Sequence, residues 1–76
     1  MYMNINGVII DLIDKDIFNK LLKSKNINSN KIRKLLNINK EIYENLLESK
    51  SDFSDVDVIK IEKLLHTKIR KEFKRY

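Results

Sequence analysis

Residues 26–49 read NINSNKIRKLLNINKEIYENLLES. Ile32, Leu35 and Leu36 fall at i, i+3 and i+4, the spacing of one helix face. Tyr43 and Leu46, with Ile42 and Leu47 beside them, form a second such stripe. Asn28 or Ser29 suits the cap of the first helix, because a short polar side chain can accept an N–H that the first turn leaves unpaired. Asn37 suits its left-handed end, which Asn tolerates better than other non-glycine residues. Asn39 then caps the next helix at once. The stretch therefore predicts two short helices joined only by Asn37, Ile38 and Asn39. Lys and Arg crowd the first helix and Glu the second. Such a pair fits a DNA groove, and it equally fits a small bundle whose charges are solvated faces.

Outward from this stretch, 76 residues set a single domain, near the lower size at which a core holds without staples. There is no Cys and one His, which excludes a disulfide framework, thiolate chemistry and a four-ligand zinc site. The absence of Pro, a single Gly, and Leu, Lys, Glu and Ile at helical spacing predict an all-α protein of four or five helices. The longest uncharged apolar run, Val8-Ile9-Ile10, is far short of the ~20 residues of a membrane span. No charged segment followed by a long apolar one marks a secretory signal, so a cytoplasmic protein is expected. The net charge of +5 is concentrated at the C-terminus, where Lys68, Arg70, Lys71, Lys74 and Arg75 face Glu72 alone. That favours a polyanionic partner, although the same charge also serves solubility.

Along the chain, residues 1–13 are expected as an N-terminal strand or arm, residues 14–67 as the helical core and residues 68–76 as a basic C-terminal helix. Asn4-Ile5-Asn6 followed by Val8-Ile9-Ile10 fits a short strand bent at Gly7. A helix from Asn6 also fits, since Ile10, Ile13, Ile17 and Leu21 share a stripe, but the strand is preferred. A lone strand needs a partner, most simply in a second subunit, and this assigns Ile5, Val8, Ile9 and Ile10 to the contact of a homodimer. Asp14 or Asp16 opens a helix that turns Ile17, Phe18, Leu21 and Leu22 inward. SKSDFSD, residues 49–55, reads as a polar loop anchored by Phe53. Ser54 with Asp57 then resembles a capping box for a helix with the stripe Val58, Ile61, Leu64 and Leu65. Ile69, Phe73 and Tyr76 give the basic tail a possible apolar face.

Two helices joined in this way, the second with its own cap, have the geometry of a helix-turn-helix. Residues 27–49 resemble the helix-turn-helix core of the Cro and lambda-type repressor family, and the likeness extends over about residues 16–69. Ile27 stands at the family's Leu before helix 2, Asn28 at its cap, Ser29 at its phosphate-contacting Gln and Ile32 at its core Leu. Leu36, Asn37, Ile38 and Asn39 match its Leu, turn Gly, Val and helix 3 cap. Tyr43 and Leu46 take the buried helix 3 positions, Ser49 the terminal Gly, and Val58, Ile61 and Leu65 the apolar positions of helix 4. The resemblance implies a repressor with helix 3 in the major groove of double-stranded DNA. Lys40, Glu41, Glu44 and Asn45 would then read bases, and Ser29 and Asn39 would touch phosphates. Asn28, Lys31, Lys68, Arg70, Lys71, Lys74 and Arg75 add to the phosphate contacts by their place or charge.

The sequence departs from the family where function lies. Arg33 replaces a small Ala between the helices, Leu47 replaces a Glu, and Ile42 occupies a base-facing position. Glu41, Glu44 and Glu48 repel phosphate, although a Glu can accept from cytosine N4. The alternative is a protein-interaction module on the same frame, such as a small antitoxin or an inhibitor of a nucleic-acid enzyme. It would use the acidic, Ile42-bearing face of helix 3, and an exposed apolar patch of Ile42 and Leu47 would favour it.

No enzyme is expected, because no nucleophile stands beside a base and no Gly-rich phosphate loop occurs. Neither a metal nor another cofactor is called for. Asp11, Asp14 and Asp16 read as a capping region, and Asp52, Asp55 and Asp57 lack the Gly and Glu of a calcium loop. His66 reads as a helix-terminal residue rather than a base.

Overall fold

The computed structural model describes residues 1–71. Its elements are strands β1 (Tyr2–Ile5) and β2 (Val8–Asp11), helices α1 (Lys15–Ser24), α2 (Ser29–Leu36) and α3 (Lys40–Leu47), strand β3 (Phe53–Ser54) and helix α4 (Asp55–Leu65). The fold is therefore α+β, and the all-α expectation is incorrect. The strands form one sheet in the order β2-β1-β3, antiparallel between β1 and β2 and parallel between β1 and β3.

The hairpin follows from Asn6-Gly7. Their φ values of 50° and 83° are the two positive angles of a type I′ turn, whose twist matches that of the flanking strands. Asn4 Oδ1 accepts the Gly7 N–H at 2.9 Å, and Ile5 then faces Val8 while Met3 faces Ile10. Residues 2–11 are thus two strands, neither one bent strand nor a helix from Asn6. The partner that the sequence assigns to a second subunit is found inside the chain, where Met3 and Asn4 pair with Phe53 and Ser54 of the supposed loop. This removes the backbone reason for a dimer contact at Ile5, Val8, Ile9 and Ile10.

A basic helix over 68–76 does not begin where the sequence suggests. His66 turns left-handed at φ 51° and ends α4. Residues 69–71 then run beside residues 11–13, with Ile13 N–H donating to Ile69 O at 2.8 Å and Lys71 N–H to Asp11 O at 3.2 Å. Phe73, Lys74, Arg75 and Tyr76 lie outside the described residues.

The core is gathered from all layers. Met3 and Leu12 of the hairpin, Phe18 of α1, Ile32 of α2, Phe53 of β3 and Val58, Ile61 and Leu65 of α4 are almost wholly withdrawn from water. Burying each such side chain stabilises by roughly 1.5–3 kcal/mol. α4 packs on β1, β3 and α2, so the sheet backs the helices. Ile17, expected inside, is 52% exposed, and Ile42, which helical spacing puts on the apolar stripe and the family resemblance puts outside, is 45% exposed. The buried stripes centre instead on Phe18 and Leu22 in α1 and on Tyr43, Leu46 and Leu47 in α3, which turns each Ile to the flank.

Left-handed residues follow or end every helix: Asn26, Asn37, Ser49 and His66, with φ of 55°, 55°, 63° and 51°. After each of the four the next N–H reaches back to close the turn, Ile27 to Leu22 O at 2.9 Å, Ile38 to Arg33 O at 3.0 Å, Lys50 to Asn45 O at 2.9 Å and Thr67 to Glu62 O at 3.3 Å. These bonds fix where α2 and α3 begin relative to what precedes them.

Candidate nucleic-acid interface

α2 and α3 are set by their caps. Asn28 Oδ1 accepts the Lys31 N–H at 3.1 Å, and Asn39 Oδ1 accepts the Ile42 N–H at 2.8 Å. Each cap uses the amide oxygen and leaves the NH2 group as the kind of donor that a phosphate requires. Between them Asn37, at φ 55° and ψ 49°, reverses the chain. Ser29 and Lys31 are exposed on the first turn of α2.

On α3 the residues Lys40, Glu41 and Glu44 are exposed, whereas Asn45 is half-buried. The Asn45 carbonyl also accepts the N–H groups of Lys50 and Ser51, at 2.9 and 3.3 Å. Three of the four expected base readers therefore stand free on the surface and the fourth sits at its edge. Ile42 shares the exposed surface, but Leu47 is only 7% exposed and does not join it in an apolar patch.

A recess of about 250 Å³ between α1, α2 and α3 brings Ser29, Lys40 and Glu44 together with Lys15, Asn19, Arg33, Tyr43, Leu47 and Glu48. Sequence reasoning missed Lys15 and Asn19, because only the packing of α1 against the helix pair brings them there. Lys15 Nζ lies 3.6 Å from Glu48 Oε1 and joins the start of α1 to the end of α3. Arg33 also lines a second recess with Asn30, Lys34, Asn37, Ile38 and Asn39, so its side chain divides the two. Its Nη1 donates to Asn30 Oδ1 at 3.0 Å, while its Nε and the Tyr43 hydroxyl are buried without a partner. Burial pushes the Tyr43 phenol up from 10.0 to about 12, with the Arg33 guanidinium pulling weakly the other way. Tyr43 is thus a phenol, and a donor, at any neutral pH.

The basic tail is tied elsewhere. Arg70 Nη2 lies 3.5 Å from Glu62 Oε1, and Lys71 Nζ lies 3.4 Å from Asp14 Oδ1. Lys68 is exposed at the end of α4, beside Lys63, His66 and Thr67. Asp14 precedes Lys15, so the tail and Glu48 of α3 both reach the α1 start. Lys74 and Arg75 lie outside the described residues.

Of the expected dimer residues, Val8 and Ile9 are 60% and 51% exposed, while Ile5 and Ile10 pack partly on the core. Among the described residues no cluster of His, Cys, Asp or Glu is placed to hold a metal, and no helix is long and apolar enough to cross a membrane. No family model, curated protein or solved structure matches the chain.

Proposed function

We propose that the chain is a sequence-specific DNA-binding regulator of the Cro and lambda-repressor type, which represses by occupying its operator. α3 enters the major groove, with Lys40, Glu41, Glu44 and Asn45 toward base edges. Ser29, Lys31 and the amide groups of Asn28 and Asn39 hold the backbone. The observation that carries the reading is the joint between α2 and α3, a left-handed Asn37 followed within two residues by the capping Asn39, with the α3 start exposed beyond it. The reading implies a cytoplasmic protein without a catalytic step, acting as a homodimer on half-sites about 10 bp apart or a multiple of that.

The competing protein-interaction module draws support from Glu41, Glu44, Glu48 and the exposed Ile42. It loses support from the burial of Leu47, which leaves Ile42 without the apolar neighbour that would favour it. The deciding experiment is fluorescence anisotropy on DNA from upstream of the chain's own gene, against scrambled DNA of equal composition. A preference of about 100-fold or more, kept at ~200 mM salt, supports the regulator. Equal binding to both DNAs that disappears with salt overturns it.

A further inference from the structure

The recess between α1, α2 and α3 is lined by the first residue of each helix, Lys15, Ser29 and Lys40. Helix starts carry unpaired N–H groups and the positive end of the helix dipole, so three of them around one recess favour an anion. Lys15, Arg33 and Lys40 outnumber Glu44 and Glu48 on its lining by one charge. That excess matches a single negative charge seated in the recess. An independent observation lies in the wall: Tyr43 is 4% exposed, and its hydroxyl has no partner. A buried donor left unpaired costs free energy, and a ligand that accepts from it recovers that cost.

We infer that this recess binds one singly charged phosphate ester, held by Lys40, Arg33 and the Tyr43 hydroxyl, with Ser29 at the rim. Arg33 stands where the resembled family has a small Ala, and neither it nor Tyr43 was among the residues expected to touch DNA. Lys15 already pairs with Glu48 on the lining of the recess. Arg33 has one nitrogen on Asn30 and its Nε unpaired, so its guanidinium is held at one end and still has a donor to give. A DNA backbone phosphate and a free small phosphodiester present the same two non-bridging oxygens and the same single charge. The site extends the DNA-binding reading, yet its chemistry does not require DNA.

The test is a titration of 15N-labelled protein with dimethyl phosphate at constant ionic strength, following the amide signals of Ser29, Arg33, Lys40 and Tyr43. Saturable shifts at these residues are expected. Tyr43→Phe keeps the ring in the core and should weaken binding about fivefold, and Arg33→Gln about tenfold or more. Lys40→Gln, at an exposed position, gives a similar loss without touching the core. Shifts that do not saturate, or binding unchanged in all three variants, overturn the site. Adding saturating DNA identifies the natural source. If DNA abolishes the dimethyl phosphate shifts, a backbone phosphate occupies the recess, and if they persist the ligand is a free phosphodiester. Protein that binds dimethyl phosphate but no DNA sustains the site and removes the repressor reading alone.

Discussion

Glu62 accepts the backbone N–H of Ile69 at 2.9 Å, seven residues further along the chain. The same carboxylate lies 3.5 Å from Arg70, so one side chain of α4 holds the segment that runs beside residues 11–13. Glu62→Ala leaves a partly buried N–H unpaired and should cost roughly 1–3 kcal/mol. For a domain of this size each kcal/mol lowers Tm by roughly 4–8 °C. Glu62→Gln keeps an acceptor and should lose less. Thermal unfolding followed by circular dichroism checks both, and an Ala variant as stable as the parent contradicts the assignment.

Gly7 separates conformational strain from crowding. Its φ is 83°, yet an added Cβ meets nothing within 4 Å. Gly7→Ala should therefore destabilise by about 1 kcal/mol through backbone strain alone. A urea titration measures it, and an unchanged midpoint would mean that the hairpin turn adds little to the fold.

The left-handed helix ends can be improved. Ser49 at φ 63° bears more strain than Asn37 at φ 55°, because Asn is the better tolerated residue there. Ser49→Gly should gain about 1 kcal/mol and Asn37→Gly less. The measurement is the denaturation midpoint at unchanged m, and a loss of stability in the Ser49 variant would refute the prediction.

Tyr43 links stability to alkaline pH. Its folded pKa of about 12 lies above the ordinary 10.0, so the unfolded chain gives up this proton first. The contribution is complete below pH 10 and declines as pH rises through the interval to about 12. Tyr43→Phe should flatten that decline. Stability measured from pH 9 upward in parent and variant tests this, and parallel curves would dissociate Tyr43 from it.

Two surface changes on α3 separate a DNA reader from a protein-binding face. Lys40 and Ile42 are both exposed, so Lys40→Glu and Ile42→Ser should each alter stability by under about 0.5 kcal/mol. For a DNA reader, Lys40→Glu abolishes the preference for the operator and Ile42→Ser reduces it modestly. Loss of operator preference in neither variant would place recognition off α3.

The helices are legible because their signals are local. Asn28, Asn39 and Ser54 each accept an N–H three residues on, and Asn37 turns left-handed as its neighbours require. The abundance of Asn thus has structural uses, at Asn4, Asn6 and Asn26 as well. Asn6-Gly7 is an equally local hairpin signal, which the expectation of one strand bent at Gly7 passes over. β3 left no such mark, since a strand of two residues exists only through its pairing with Met3 and Asn4. At the candidate site, the exposed α3 start was readable from helical spacing. The entry of Lys15 and Asn19 was not, because it depends on how α1 crosses the pair.

The parallel pairing of Met3 and Asn4 with Phe53 and Ser54 also bears on the order of folding. The two partners of β1 differ in kind, one a turn away and the other beyond all of α1, α2 and α3. The hairpin can close in microseconds, but the second pairing must first close a loop of some fifty residues, an entropic toll met before any contact rewards it. The three intervening helices shorten that loop as they form, so their docking and the completion of the sheet should be kinetically coupled. A fragment of α2 and α3 alone would forgo this coupling, and α3 should accordingly reach its geometry only where the strands and α4 are present with it.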